Sequence, residues 1–223
     1  MTEYEYFIGN DFIRISKDKL EEIKQYGACV VSDALKGFNA MDGRIRTMVP
    51  GKKICGCAVT VRLRPGDNLF LHEAIEQVRE GDIIVIDTGS DYRHAVIGGI
   101  MSGAAFAKKH IAGLIVDGAV RDVEELRKNG YPVFAAAIVP NTGDHEGPGM
   151  LNQPVSCGGV PVMPGDIIVA DDNGVAVIPQ HSVSFVLENC KKKIIKEKKR
   201  IDEIEKGQIT SSLLLKKLHA QGF

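Results

Sequence analysis

Five short apolar runs rich in Val and Ile, separated by stretches with helical spacing, constrain this chain more than any other feature. ICGCAVTVRL (54–63), DIIVID (82–87), AGLIVD (112–117), VFAAAIV (133–139) and DIIVADDNGVAVI (166–178) read as strands. Between them LHEAIEQV (71–78), a span near 97–109, and VEELRKNG (123–130) have helical periodicity. The alternation predicts a mixed α/β fold, with some strands joined by crossover helices and others by tight turns such as Asp172-Asn173-Gly174. Gly81-Asp82-Ile83-Ile84-Val85 recurs as Gly165-Asp166-Ile167-Ile168-Val169, which suggests either two related hairpins or coincidence.

The chain has 223 residues, 44% of them apolar and 26% charged, enough for one domain with a sizeable core. Residues 1–180 read as that single α/β domain and 181–223 as a C-terminal helical extension packing on the same or a neighbouring subunit. In the extension an apolar stripe at Val183, Leu187, Cys190, Ile194, Ile201 and Ile204 skips to a carboxylate at Glu197. Glu197 either snorkels at an exposed edge or reaches a cation or arginine of a neighbouring subunit. Gly and Pro crowd residues 140–165, which read as a long functional or interface loop.

Charge excludes some functions. With 28 basic and 29 acidic residues the net charge is −1, so no global field would hold nucleic acid or an anionic membrane. MTEYEYFIGNDF lacks the basic and apolar regions of a signal peptide, and no run approaches the roughly 20 apolar residues of a membrane span, so a cytoplasmic location is expected. Cys29, Cys55, Cys57, Cys157 and Cys190 form no CxxC pair and read as buried, reduced thiols.

AGLIVDGAVRD (112–122) carries the most chemistry: an apolar strand runs into an Arg-Asp pair that opens a helix. The Arg121 guanidinium matches a carboxylate bidentately. Asp122 forms a D-x-x-E capping box with Glu125, so helix capping is its local role unless a cation lies beside it. In IGGIMSGAAFA (97–107) Gly98 and Gly99 precede a helix whose exposed N–H groups could hold a carboxylate. Its helix leads to the strand ending near Asp117, which could place both turns beside one crevice. Asp33 and Asn68 read locally as N-caps of the helices that follow them. His72-Glu73 is followed by Glu76 where a zinc-protease helix needs a second His, and His145-Glu146 lacks a spaced partner set for zinc. P-loop and nucleophile-elbow motifs do not occur. Carboxylate plus arginine suits a hard cation such as Mg²⁺ or Mn²⁺.

VSDAL (31–35), PGDN (65–68), GDIIVID (81–87), DGAVRD (117–122) and PVSCGGVPVMPGDIIVADDNGVAVIP (154–179) together resemble the RraA-like family over about residues 28 to 207. That family includes 4-hydroxy-4-methyl-2-oxoglutarate aldolases, which also decarboxylate oxaloacetate, and regulators of ribonuclease activity. The resemblance implies a swivelling β/β/α fold of the phosphohistidine-domain kind, assembled as a homotrimer or homohexamer with active sites between subunits. It further implies class II chemistry on a small 2-oxo acid: Arg121 binds the pyruvate portion, Asp122 helps hold Mg²⁺ or Mn²⁺, and the turn at Gly99, Ile100, Met101 and Ser102 receives the substrate carboxylate. Asn68 is a further substrate-binding candidate and Glu197 a metal-binding one. The aldolases tend to carry an acidic residue where this chain has Ile100, a departure that weakens the aldol step more than decarboxylation. The alternative is a regulator that binds an RNA-degrading enzyme; such members have lost the acid that follows the Arg, whereas Asp122 is retained here. GGIMSGAA (98–105) is also similar to the segment of phosphohistidine carriers, but Gly103 stands where their His would be.

Overall fold

The computed structural model describes residues 7–223; the first six residues of the N-terminal segment read above lie outside it. Helix α1 (Lys17–Ala34) and the short strand β1 (Arg46–Thr47) lead into β2 (Ile54–Leu63), α2 (Leu69–Gln77), β3 (Ile83–Asp87) and β4 (Ala95–Ile97). Helix α3 (Gly99–Gly103) continues as a π-helical turn (Ala104–Lys108), and β5 (Gly113–Val120), α4 (Val123–Asn129) and β6 (Val133–Ile138) follow. Strands β7 (Gly149–Leu151), β8 (Val155–Cys157), β9 (Val160–Val162), β10 (Ile167–Asp171) and β11 (Gly174–Ile178) precede the C-terminal helices α5 (Val183–Glu205) and α6 (Ser212–His219).

The main sheet runs β1-β6-β5-β3-β2-β10-β11, with β4 beside β5 and β7 beside β2. Its centre, β2-β3-β5-β6, is parallel, and β10 and β11 extend it antiparallel. All five residues of β3 and all eight of β5 are buried, which explains why these segments read as continuous apolar runs without polar alternation. Successive residues still face opposite sides. Ile84 and Ile86 pack with Leu71, Phe106 and Leu126, whereas Ile83 and Val85 pack with Phe134 and with Val155 and Val162 of the β8–β9 hairpin. On β10 and β11, Ile167, Val169, Ala176 and Ile178 pack with α1 and α5.

The repeated GDIIV does not mark two hairpins. Its first copy opens β3, parallel to β2, and its second opens β10, antiparallel to β2 and joined to β11 by a tight turn. The five cysteines are all free; four are buried, but Cys29 is exposed, against expectation.

The stripe on α5 divides in two. Val183, Val186, Leu187 and Cys190 are buried against the body, while Ile194, Ile201 and Ile204 are 42%, 55% and 49% exposed. Only the first two turns are therefore held by the subunit's own core. Among the described residues no helix is long and apolar enough to cross a membrane.

Candidate active site

Strands β4 and β5 end side by side, pairing Ala95 with Ala119 and Ile97 with Val120. An extra residue between Val116 and Ala119 shifts the β5–β6 register, the kind of bulge that re-aims a strand end. Beyond the pairing, the Arg121 N–H donates to Ile97 O at 3.1 Å, which brings the Arg121-Asp122 turn against Gly98-Gly99. Both turns lie at the carboxyl end of the parallel strands, where open α/β sheets bind ligands.

Asp122 departs from its expected capping role. It takes a left-handed conformation, φ 57° and ψ 37°, and its side chain makes no cap hydrogen bond to the helix it precedes. Its Oδ2 instead accepts the N–H of Gly99 at 3.0 Å and lies 3.7 Å from Arg121 Nε. A non-glycine residue at positive φ is held there by its surroundings, and the backbone turn directs this carboxylate away from its own helix. The approach leaves no room for side chains opposite: a Cβ on Gly98 would sit 2.4 Å from Asp122 Oδ2 and 3.0 Å from Arg121 Cγ.

Arg121 and Asp122 border a cleft of about 270 Å³ lined also by Asn68, His72, Val96, Ile97, Gly98, Ile100, Met101, Thr142 and His145. The structure thus brings together Asn68, Ile100, Met101, Arg121 and Asp122. Gly99 lies behind them, its N–H already bound to Asp122. Ile100 is 90% exposed and places an apolar side chain at the rim. The N–H groups of Ile100 and Met101, in the first helical turn, have no intrahelical acceptor and carry the positive potential of a helix start. Ser102 is placed differently: it is fully buried, it does not line the cleft, its N–H is taken by Gly98 O at 3.0 Å and its Oγ has no partner.

Neither Asn68 nor Asp33 caps a helix by its side chain. Asn68 precedes α2, but its Nδ2 donates across the cleft floor to Val96 O at 2.9 Å and its Oδ1 meets His145 Nδ1. The capping role passes to Asp67, whose Oδ1 accepts the N–H of Leu69 at 2.9 Å. Asp33 lies inside α1 and pairs with Lys193 at 2.7 Å.

The cleft also holds His72 and His145, which the sequence offered only as incomplete zinc motifs. Their rings meet edge to face, 5.7 Å between centroids. His145 belongs to the Gly/Pro-rich loop, and that loop is clamped onto PGDN. Asp67 Oδ2 accepts the N–H groups of Glu146 at 2.7 Å and Gly147 at 2.8 Å, and Asp144 N donates to Gly66 O at 2.7 Å.

Burial opposes the ionisation of Asp67, but three backbone N–H donors and Arg64 outweigh it, and the carboxyl is held below its ordinary value. Because the folded-state pKa is depressed, the clamp contributes stability above the unfolded value of about 3.9 and loses it as pH falls through the folded value. The protection of the Glu146 and Gly147 amides, taken relative to their intrinsic exchange rates, is expected to fall as pH drops through that depressed value, before global unfolding. Asp67→Ala, which strands three N–H groups, is expected to cost about 2–4 kcal/mol in urea denaturation. Unchanged exchange in the variant would show that the clamp does not hold the loop.

A hard cation finds a partial donor set here. Asp122 offers a half-exposed carboxylate beside Arg121, whereas among the described residues no three His, Cys, Asp or Glu side chains converge as a metal cluster. That chemistry fits Mg²⁺ or Mn²⁺ held largely through water, the usual habit of Mg²⁺, and not a closed zinc site. Glu197 is not among the residues of the cleft; in its own chain it pairs with Lys193 at 3.3 Å.

The model of the RraA-like family, described as Aldolase/RraA, matches residues 28–177. A relative from Halalkalibacterium halodurans, provisionally named 4-hydroxy-4-methyl-2-oxoglutarate aldolase, is 36% identical over 176 residues, covering 79% of this chain and 83% of its own. The crystal structure of an uncharacterised protein from Pseudomonas syringae pv. tomato aligns with a TM-score of 0.76 at 27% identity, over 88% of this chain and 96% of that one. The RNA-processing inhibitor RraA from Thermus thermophilus aligns with a TM-score of 0.59 at 27% identity, over 75% of this chain and 94% of that one. With two thirds of its length matched by the family model and a mixed α/β fold shared with these structures, the chain belongs to the RraA-like family.

Proposed function

We propose that this protein is a divalent-metal-dependent lyase that cleaves or decarboxylates a small dicarboxylic 2-oxo acid to pyruvate, on the swivelling β/β/α fold that its resemblance implies. The observation that carries this reading is Asp122, held in a left-handed turn with its carboxylate beside Arg121 at the mouth of a cleft sized for a small acid. The aldolase name of the H. halodurans relative supports the same class.

Arg121 would bind the 2-oxo acid through its carboxylate and 2-oxo oxygen with a planar fork of donors. The same fork faces the negative charge that develops as the C–C bond breaks, which is where preorganised donors lower a barrier most. The first-turn N–H groups of Ile100 and Met101 would orient the second carboxylate. Asp122 would hold Mg²⁺ or Mn²⁺ through water, joined by Glu197 of a neighbouring subunit in a trimer or a pair of trimers; the bound ion supplies Lewis-acid polarisation of the 2-oxo group. The exposed Ile194, Ile201 and Ile204 around Glu197 support that placement.

Pyruvate release from oxaloacetate and from 4-hydroxy-4-methyl-2-oxoglutarate tests the proposal. Activity is expected with Mg²⁺ or Mn²⁺, to fall to background with chelator, and to fall at least about a hundredfold in Asp122→Ala. Metal-independent turnover would remove Asp122 and Glu197 from their proposed roles. The likeness to the T. thermophilus inhibitor supports a second reading, a regulator that binds an RNA-degrading enzyme. Stable binding of a ribonuclease by a protein that releases no pyruvate would favour it.

A further inference from the structure

His145 stands in the cleft with only one way to share its protons with Asn68. Asn68 is 4% exposed, and its Nδ2 donates to Val96 O, a group that can only accept. The amide orientation is therefore fixed, and Oδ1, also an acceptor only, faces His145 Nδ1. The Nδ1 nitrogen must donate, so the neutral ring is the Nδ1–H tautomer and Nε2 carries the lone pair. An orienting oxygen on one ring nitrogen and a free lone pair on the other is how a histidine base is prepared. The arrangement is built from both sides, since Asp67 clamps Glu146 and Gly147 immediately after the histidine.

We infer that His145 Nε2 is the proton acceptor for carbon–carbon cleavage of a 4-hydroxy-2-oxo acid bound by Arg121, with Asn68 as its positioning residue. The inference rests on the lyase reading and assigns the aldol step a base within a site whose rim carries Ile100 in place of a carboxylate. Nε2 takes the C4 hydroxyl proton and the O–H electron pair becomes the new carbonyl. The C3–C4 pair passes to C3 as the enolate of pyruvate. The imidazolium then returns the proton to C3, so one hydroxy acid yields two carbonyl products with no other reactant. Decarboxylation of oxaloacetate has no hydroxyl proton to remove.

The test compares both reactions in wild type, His145→Gln, His72→Gln and Arg121→Ala across pH, with the imidazole ¹⁵N shifts of the wild-type protein recorded separately. Other charged or titratable groups near His145 are His72 on α2, Arg121 and Asp122 across the cleft, and Asp144 and Glu146 beside it in the loop. His145→Gln is expected to lower the ratio of aldol cleavage to decarboxylation about a hundredfold and to abolish the acid limb of the aldol profile, which His72→Gln keeps. The ¹⁵N spectrum is expected to show the Nδ1–H tautomer, and this holds whether or not the variant folds. An equal fall in both reactions, an acid limb that survives His145→Gln, or an Nε2–H tautomer would overturn the assignment. Loss of both reactions in Arg121→Ala beside an unchanged ratio in His145→Gln would sink the histidine alone and keep the lyase. A wild-type protein that turns over neither acid would remove the lyase reading and the histidine's role with it.

Discussion

Arg121→Ala is expected to lower pyruvate release from every accepted 2-oxo acid by about a thousandfold, the largest effect of any single substitution in the cleft. Two charge-assisted hydrogen bonds to a carboxylate are worth about 1.5–3 kcal/mol each, and part of that strengthens as charge moves onto the 2-oxo oxygen. The loss should therefore divide between KM and kcat. Arg121→Lys keeps the charge but not the planar fork, and is expected to recover only a minor part of the activity. The Arg121 N–H that holds β4 to the following turn is backbone, so folding should be spared; equal melting temperatures with a thousandfold difference in kcat/KM is the expected pair of measurements. An active Arg121→Ala protein would move substrate recognition elsewhere.

Gly98→Ala is expected to disable the site by crowding Asp122 and Arg121 without removing either side chain. The new Cβ would lie 2.4 Å from Asp122 Oδ2 and about 3 Å from two atoms of Arg121, so the carboxylate must retreat by roughly 1 Å or more to reach ordinary contact. A displacement of that size costs about a hundredfold in rate when it falls on a reacting group. Gly99→Ala is the informative comparison. Its Cβ would meet the carboxylate of Glu125, an exposed and flexible side chain that can swing into solvent. Gly98→Ala should thus lose much more metal-dependent activity than Gly99→Ala at similar stability. Equal losses would place the constraint in the backbone of the turn, not in Asp122.

The strands at 54–63, 83–87, 113–120 and 133–138 and the helices at 69–77 and 123–129 fall close to where periodicity puts them, because burial on both faces of a parallel sheet writes itself into a run of Val and Ile. The Arg121-Asp122 pair was visible for a related reason: a polar pair at the end of an apolar strand has few structural uses. Local pattern was misleading where it assigned caps. Asp33, Asn68 and Asp122 each have the composition of an N-cap, and none makes the side-chain hydrogen bond: Asp33 lies inside a helix, where it pairs with Lys193, and partners distant in sequence draw Asn68 to Val96 and His145 and Asp122 to Gly99.

Element type and order, the family, and the strand end that carries the arginine follow from neighbours along the chain, since helix and strand periods are local properties. His145 and the pairing of the two turns follow from contacts across 77 and 23 residues of sequence, and no local pattern encodes them. A carboxylate's role is set by which charge or N–H group lies within about 3 Å of it, and for residues this far apart only the folded sheet determines that distance.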